Sequence, residues 1–179
     1  MSEGARRKPD RHGWNALDKY LQIHDRRLDA LRGDFVLADN LTYGFVDQYH
    51  YEIRGRIVCR HGLFVDVVKT LEVDRRHRAR TIRYSYHAGI RGPQGRPILR
   101  YDNAHPYPGH ADAHHKHRFD HTTWKPIEPP DWVGHDGWPH LSDVLGELKA
   151  WWDAVGQHLG AEVADDADDA GWWVGSDED

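Results

Sequence analysis

Between Tyr49 and Tyr101 apolar residues recur at every second position in four runs, and that period commits this stretch to β-strands before anything else is known. Tyr49, Tyr51 and Ile53 alternate with His50, Glu52 and Arg54. After the turn formers Arg60-His61-Gly62, Leu63, Val65 and Val67 alternate again, followed by Leu71 and Val73. Ile82, Tyr84, Tyr86 and Ala88 oppose Arg83, Ser85 and His87, and Ile98-Leu99-Arg100-Tyr101 resumes beyond the Gly- and Pro-rich segment 91–97. Consecutive strands joined by short turns form an antiparallel meander, with one face apolar and the other polar.

Two helical stripes flank the strands. Trp14, Leu17, Tyr20, Leu21, His24, Leu28 and Leu31 recur at steps of three and four and stop before Gly33. Leu141, Val144, Leu145, Leu148, Trp152, Val155 and Leu159 repeat the pattern near the other end. The expected fold is therefore α+β: an antiparallel meander of about four strands with an N-terminal helix and a long C-terminal helix on its apolar face. Residues 1–12 read as a disordered basic arm, 13–160 as one domain, and 161–179 as a disordered acidic tail, since Asp165-Asp166-Ala167-Asp168-Asp169 resists compaction.

Charge is unevenly distributed. The net charge is −5, yet residues 1–120 hold 22 Lys and Arg against 15 Asp and Glu, so a basic body precedes an acidic tail. Such a body attracts polyanions. The single Cys59 excludes an intramolecular disulfide framework and a Cys-rich zinc motif. No apolar segment approaches membrane-spanning length and the N-terminus carries no apolar leader, so a soluble chain in the cytoplasm, with no membrane partner, is expected.

Chemistry concentrates after the fourth strand. Of 15 histidines, six fall between His105 and His121. Imidazole gives or takes protons near neutrality and binds transition metals, so the density asks for an explanation. Strand alternation puts Arg100 and Asp102 on one face, with Arg83 and His87 able to join them. Three readings stay open. In the first, His114, His115 and His117 carry the proton transfers of RNA cleavage, Arg100 and Lys116 clamp phosphate, Asp102 orients an imidazole, and Arg83, His87, Tyr101 and Arg118 contact nucleic acid. In the second, the four-residue spacings His110/His114 and His117/His121 hold zinc, with His105, Asp112 or Asp120 completing the shell. In the third, the segment is a surface loop and the fold serves only to bind a partner.

The string Ile98-Leu99-Arg100-Tyr101-Asp102-Asn103, preceded by the strand Arg83–Ala88 and followed by His114-His115-Lys116-His117, resembles the TumE family, small toxins of bacterial and archaeal toxin–antitoxin modules. The likeness runs from about Tyr49 to Leu159 and includes Trp138-Pro139 ahead of the last helix; the arm and tail lie outside it. It implies a toxin that impairs translation, by cutting or binding RNA, and a helix-turn-helix antitoxin as partner. No cofactor is expected beyond the zinc of the second reading. The alternative is a non-catalytic or metal-binding accessory protein of the same fold.

Overall fold

A computed structural model describes residues 12–92 and 96–159; the proposed acidic tail and nearly all of the proposed basic arm lie outside the described residues. In chain order the elements are β1 (Asn15–Ala16), α1 (Leu17–Asp29), β2 (Val36–Asp39), β3 (Thr42–Phe45), β4 (His50–Cys59), β5 (Leu63–Val73), β6 (Arg78–Ile90), β7 (Arg96–Asp102), β8 (His115–Phe119), β9 (Pro126–Trp132), α2 (Gly134–Gly137) and α3 (Leu141–Ala154), followed by a 3-10 turn, Gly156–His158. The strands form one sheet of order β2-β4-β5-β6-β7-β8-β9, with β1 on β6 and β3 on β4. Every pairing between these strands is antiparallel.

The α+β class holds, but among the described residues the sheet has nine strands rather than about four. The four alternating runs are β4 to β7. Two of the additions could not show an apolar alternation: β8 alternates imidazoles with cations, and β9 contains Pro129 and Pro130, which lack the N–H that an inner strand needs. Proline is tolerated in β9 because, among the described residues, β8 is the one strand that pairs with it, which makes β9 an edge strand. The histidine segment is thus partly built into the sheet.

Both long helices cover one face. Leu28 of α1 and Leu141, Val144, Leu145 and Leu148 of α3 join Ile53, Ile57, Val65, Val67, Tyr84, Tyr86 and Ala88 in one buried cluster. Burying each Leu or Ile contributes about 1.5–3 kcal/mol, which is what holds the helices to the sheet. The C-terminal helix ends sooner than its apolar stripe, because Val155 leaves helical geometry at φ −130° and the stripe continues through the 3-10 turn. Among the described residues no helix is long and apolar enough to cross a membrane.

Two local features shape the polar face. Gly55, at φ +149°, lies so close to Asn40 that a Cβ would sit 2.7 Å from its carbonyl oxygen, which lets the Asn40 side chain accept from Arg56 N at 2.6 Å. In β6 the pairing slips between Thr70/Arg83 and Leu71/Thr81, so Ile82 is an extra residue. It is turned outward rather than onto the face of Tyr84, against the simple alternation.

Candidate functional site

Register alone assembles the site. β7 pairs with β8 as Arg100↔His117, Tyr101↔Lys116 and Asp102↔His115. Cross-strand partners share a face, so Arg100, Asp102, His115 and His117 project from the uncovered side while Tyr101 and Lys116 project toward α3. There Tyr101 donates to Glu147 Oε2 at 2.7 Å and Lys116 pairs with Glu147 Oε1. On the other flank, β6 sets Ser85 against Asp102 and His87 against Arg100.

Asn103 closes the string. Its Oδ1 accepts from Tyr84 N at 2.9 Å and its Nδ2 donates to the Ile82 carbonyl at 2.9 Å, so an amide side chain satisfies the backbone at the bulge in β6. The four residues Arg100-Tyr101-Asp102-Asn103 are therefore used in three different places. Arg100 and Asp102 serve the open face, Tyr101 the helix, and Asn103 the bulge.

Asp102 is the centre of the cluster, with its side chain only 3 % exposed. Arg100 Nε lies 2.8 Å from Oδ2, off the N–H axis, so the contact is ionic rather than a well-aligned hydrogen bond. The guanidinium Nη2 donates to His117 Nε2 at 2.8 Å, which places the proton of a neutral His117 on Nδ1. His115 is fully buried; its Nδ1 donates to the Ala113 carbonyl at 2.7 Å. That leaves Nε2 facing Asp102 Oδ1 at 3.3 Å with no hydrogen-bond partner. The next turn, begun by Ala104 N donating to Asp102 Oδ1 at 3.1 Å, brings His105 Nδ1 to 3.8 Å from the same oxygen.

His105, His115 and His117 each offer a ring nitrogen within 4.8 Å of the others. Burial, and after it the Arg100 charge, hold His117 below the ordinary imidazole range. In front of the cluster a cavity of about 500 Å³ opens over β4 to β7, lined by Glu52, Arg54, Thr70, Arg83, Arg100 and His105 among others.

The sequence candidates divide cleanly. Arg100, Asp102, His115 and His117 meet, and Arg83 lines the same cavity. His87 shares their face one pair further along β6, its ring edge-on to Phe64 and its pKa lowered by burial. His114 lies on the helix side, stacked 5.5 Å from Trp138, with Tyr84 Oη 3.1 Å from its Nδ1. Lys116 and Tyr101 are bound to Glu147, and Arg118 pairs with Asp131 at 2.6 Å.

The set proposed for zinc at His110, His114, His117 and His121 is not gathered. His110 stacks on Trp132 at 4.3 Å, and His117 sits in β8 beside Asp102 while His121 lies in the turn beyond the end of that strand. Among the described residues the trio His105, His115 and His117 forms the group able to hold an ion. His105 is suggested by sequence only as a supplementary ligand; its signal is its position three residues after Asp102 in a turn. Alternation in β4 and β5 assigns Glu52, Arg54 and Thr70 to this face too, a signal they share with every other polar strand residue.

These features define a class: an α+β protein with one large antiparallel sheet, helices on one side and a His, Asp and Arg cluster on the other. A family model described as Toxin TumE matches residues 25–158, and the chain belongs to the TumE toxin family. Membership of a toxin family implies an antitoxin partner. No curated protein and no solved structure matches the chain.

Proposed function

We propose that this chain is a toxin of the cytoplasm that impairs translation by cutting RNA on its open sheet face, and that a helix-turn-helix antitoxin restrains it. The observation that carries this reading is the convergence of Arg100, His105 and His117 on the buried Asp102 at the edge of a cavity that Arg54 and Arg83 also line.

RNA cleavage without a metal needs a base for the 2′-hydroxyl, an acid for the leaving 5′-oxygen and cations for the charge on the phosphorane. An incoming phosphate draws Arg100 off His117, which frees the Nε2 lone pair beside the 2′-hydroxyl. His117 takes that proton, the 2′-oxygen bonds to phosphorus, the bond to the 5′-oxygen breaks, and His105 supplies the proton to the departing oxygen. The two rings stand 6.4 Å apart between centroids. Asp102 and the enclosed His115 hold the geometry. In this reading His114 and Lys116 support the fold, since both are engaged on the helix side.

Inducing the chain in a host and mapping RNA ends tests it. Growth arrest with new 2′,3′-cyclic phosphate ends is expected, absent in His117→Ala. Arrest with intact RNA would remove the cleavage step, and unimpaired growth would remove the toxin reading.

One observation favours a second reading. The Nδ1–H of His115 is fixed on a backbone carbonyl and its partnerless Nε2 points into the cluster, an arrangement that suits a zinc ligand. His105, His115 and His117 would supply three ligands, with the Asp102 carboxylate beside them. Stoichiometric zinc surviving dialysis of tag-free protein supports it, and metal-free protein with full activity discards it.

A further inference from the structure

The alternation in β5 that sends Val68 and Thr70 to the open face sends Lys69 the other way, into a second cavity between α1 and the start of α3. It has a volume of about 290 Å³ and is lined by Tyr20, His24, Arg27, Lys69, Ser142 and Leu145 among others. Lys69 is 2 % exposed, and no Asp or Glu is among the described lining residues. A buried ammonium without a carboxylate is costly unless something else meets it.

What meets it here is incomplete. The Tyr20 ring lies 5.0 Å from the ammonium, and that residue's hydroxyl is engaged with Thr81 Oγ1 at 2.7 Å. Tyr20 and Tyr86 both turn their phenols toward the ammonium. An ammonium has three N–H donors to place. In the same wall His24 is 9 % exposed; its Nδ1 lies 3.7 Å from Asp25 Oδ1, and neither ring nitrogen makes a well-formed hydrogen bond. Burial, and after it the Lys69 charge, push its pKa down to about 4, so it is a neutral imidazole with one N–H to give.

The third wall is the first turn of α3. His140 and Asp143 cap each other reciprocally there, while the Leu141 and Ser142 amides have no intrahelical acceptor and lie at the positive end of the helix dipole. Ile23, Leu28 and Leu145 add apolar surface, and Asn15 and the solvent-exposed Arg27 complete the lining.

We propose that this cavity binds a small organic carboxylate, with its head against Lys69 and His24 at the start of α3 and its apolar body against Ile23, Leu28 and Leu145. With the Arg27 guanidinium exposed to solvent, the one enclosed ammonium beside a neutral imidazole complements a single negative charge better than a phosphate dianion, and the apolar side chains call for a body that inorganic anions lack. The site stands apart from whatever reaction the other face performs.

The test titrates the full-length chain with hexanoate, benzoate, hexanamide and inorganic phosphate, followed by calorimetry and by the backbone amide resonance of Ser142. One of the acids binds with a Kd of about 1 mM or below, and hexanamide roughly tenfold more weakly. Lys69→Met abolishes the preference for acid over amide. His24→Leu, which keeps the ammonium, weakens the acid by roughly threefold and leaves the amide unchanged. Equal affinity for acid and amide, phosphate binding as tightly as the acids, an acid preference that survives in Lys69→Met, or no Ser142 shift at about 10 mM of either acid would each overturn the proposal.

Discussion

Arg100 spends one guanidinium nitrogen on the lone pair of its cross-strand partner His117, Nη2 to Nε2 at 2.8 Å, so the ring atom best placed to accept a proton or bind an ion is already occupied. The two chemistries proposed for the site respond to this contact in opposite ways. If Arg100 clamps phosphate and releases His117 on binding, Arg100→Ala lowers RNA cleavage by roughly 100-fold. If the trio binds zinc, the same substitution removes a competitor and a positive charge, and zinc affinity rises by roughly tenfold. Cleavage assays beside zinc competition with a chromophoric chelator distinguish the outcomes; no change in either would show that the contact is incidental.

Asp102 accepts from Ala104 N, faces Arg100 and His115, and is almost sealed from water, so its removal is felt in stability as well as function. Asp102→Ala costs about 3 kcal/mol, because a half-exposed guanidinium and a buried ring nitrogen both lose their neighbour. Asp102→Asn costs roughly half of that, since the amide can donate to the partnerless His115 Nε2. Thermal unfolding should show the alanine variant melting roughly 10 °C lower and the asparagine variant roughly 5 °C lower. Equal losses would mean that His115 Nε2 gains nothing from a donor.

The four central strands were legible because each sets apolar residues against polar ones, and that contrast is what a sheet with one covered face imposes. β8 was not, for a physical reason: its inward residue Lys116 is satisfied by Glu147, a residue 31 positions away on α3, rather than by apolar packing. With no hydrophobic signal, His114 to His117 reads as a polar loop, and only the register against β7 divides the string into two residues on the open face and two on the helix side. The approach of His105 to His115, 4.5 Å between ring centroids, depends on closing the connection between β7 and β8. No sequence spacing encodes that, whereas the shared face of Arg100 and Asp102 follows from a separation of two.

Four imidazoles, His24, His87, His114 and His117, are held below their ordinary pKa chiefly by burial. A depressed pKa means that the unfolded chain takes up the proton first as pH falls. Their contribution to stability is therefore complete above about pH 6.5 and is lost progressively on acidification, down to about pH 4 for His24. For His24 the loss is of the order of 3 kcal/mol. The melting temperature should fall between pH 7 and pH 4, and His24→Leu should flatten that fall while leaving neutral stability equal or higher, since it removes two buried ring nitrogens that lack a well-formed hydrogen bond. An unchanged pH profile in His24→Leu would mean that the ring is solvated in solution.

Glu147 gathers Tyr101 and Lys116 onto α3 and so fixes the pairing that places Arg100 and His117 on the opposite face. Glu147→Ala leaves a phenol and a mostly enclosed ammonium without their acceptor and should cost about 2 kcal/mol. Lys116→Met removes one partner and replaces it with an apolar chain of similar length, so it should cost less than about 1 kcal/mol. Combined with Glu147→Ala in a double-mutant cycle, it should reveal a coupling of about 1 kcal/mol between the two side chains. Lys116→Met should also leave the proposed RNA cleavage unaltered, because the ammonium faces the helix. A loss of cleavage at unchanged stability would restore Lys116 as a phosphate clamp and require β8 to turn over when RNA binds.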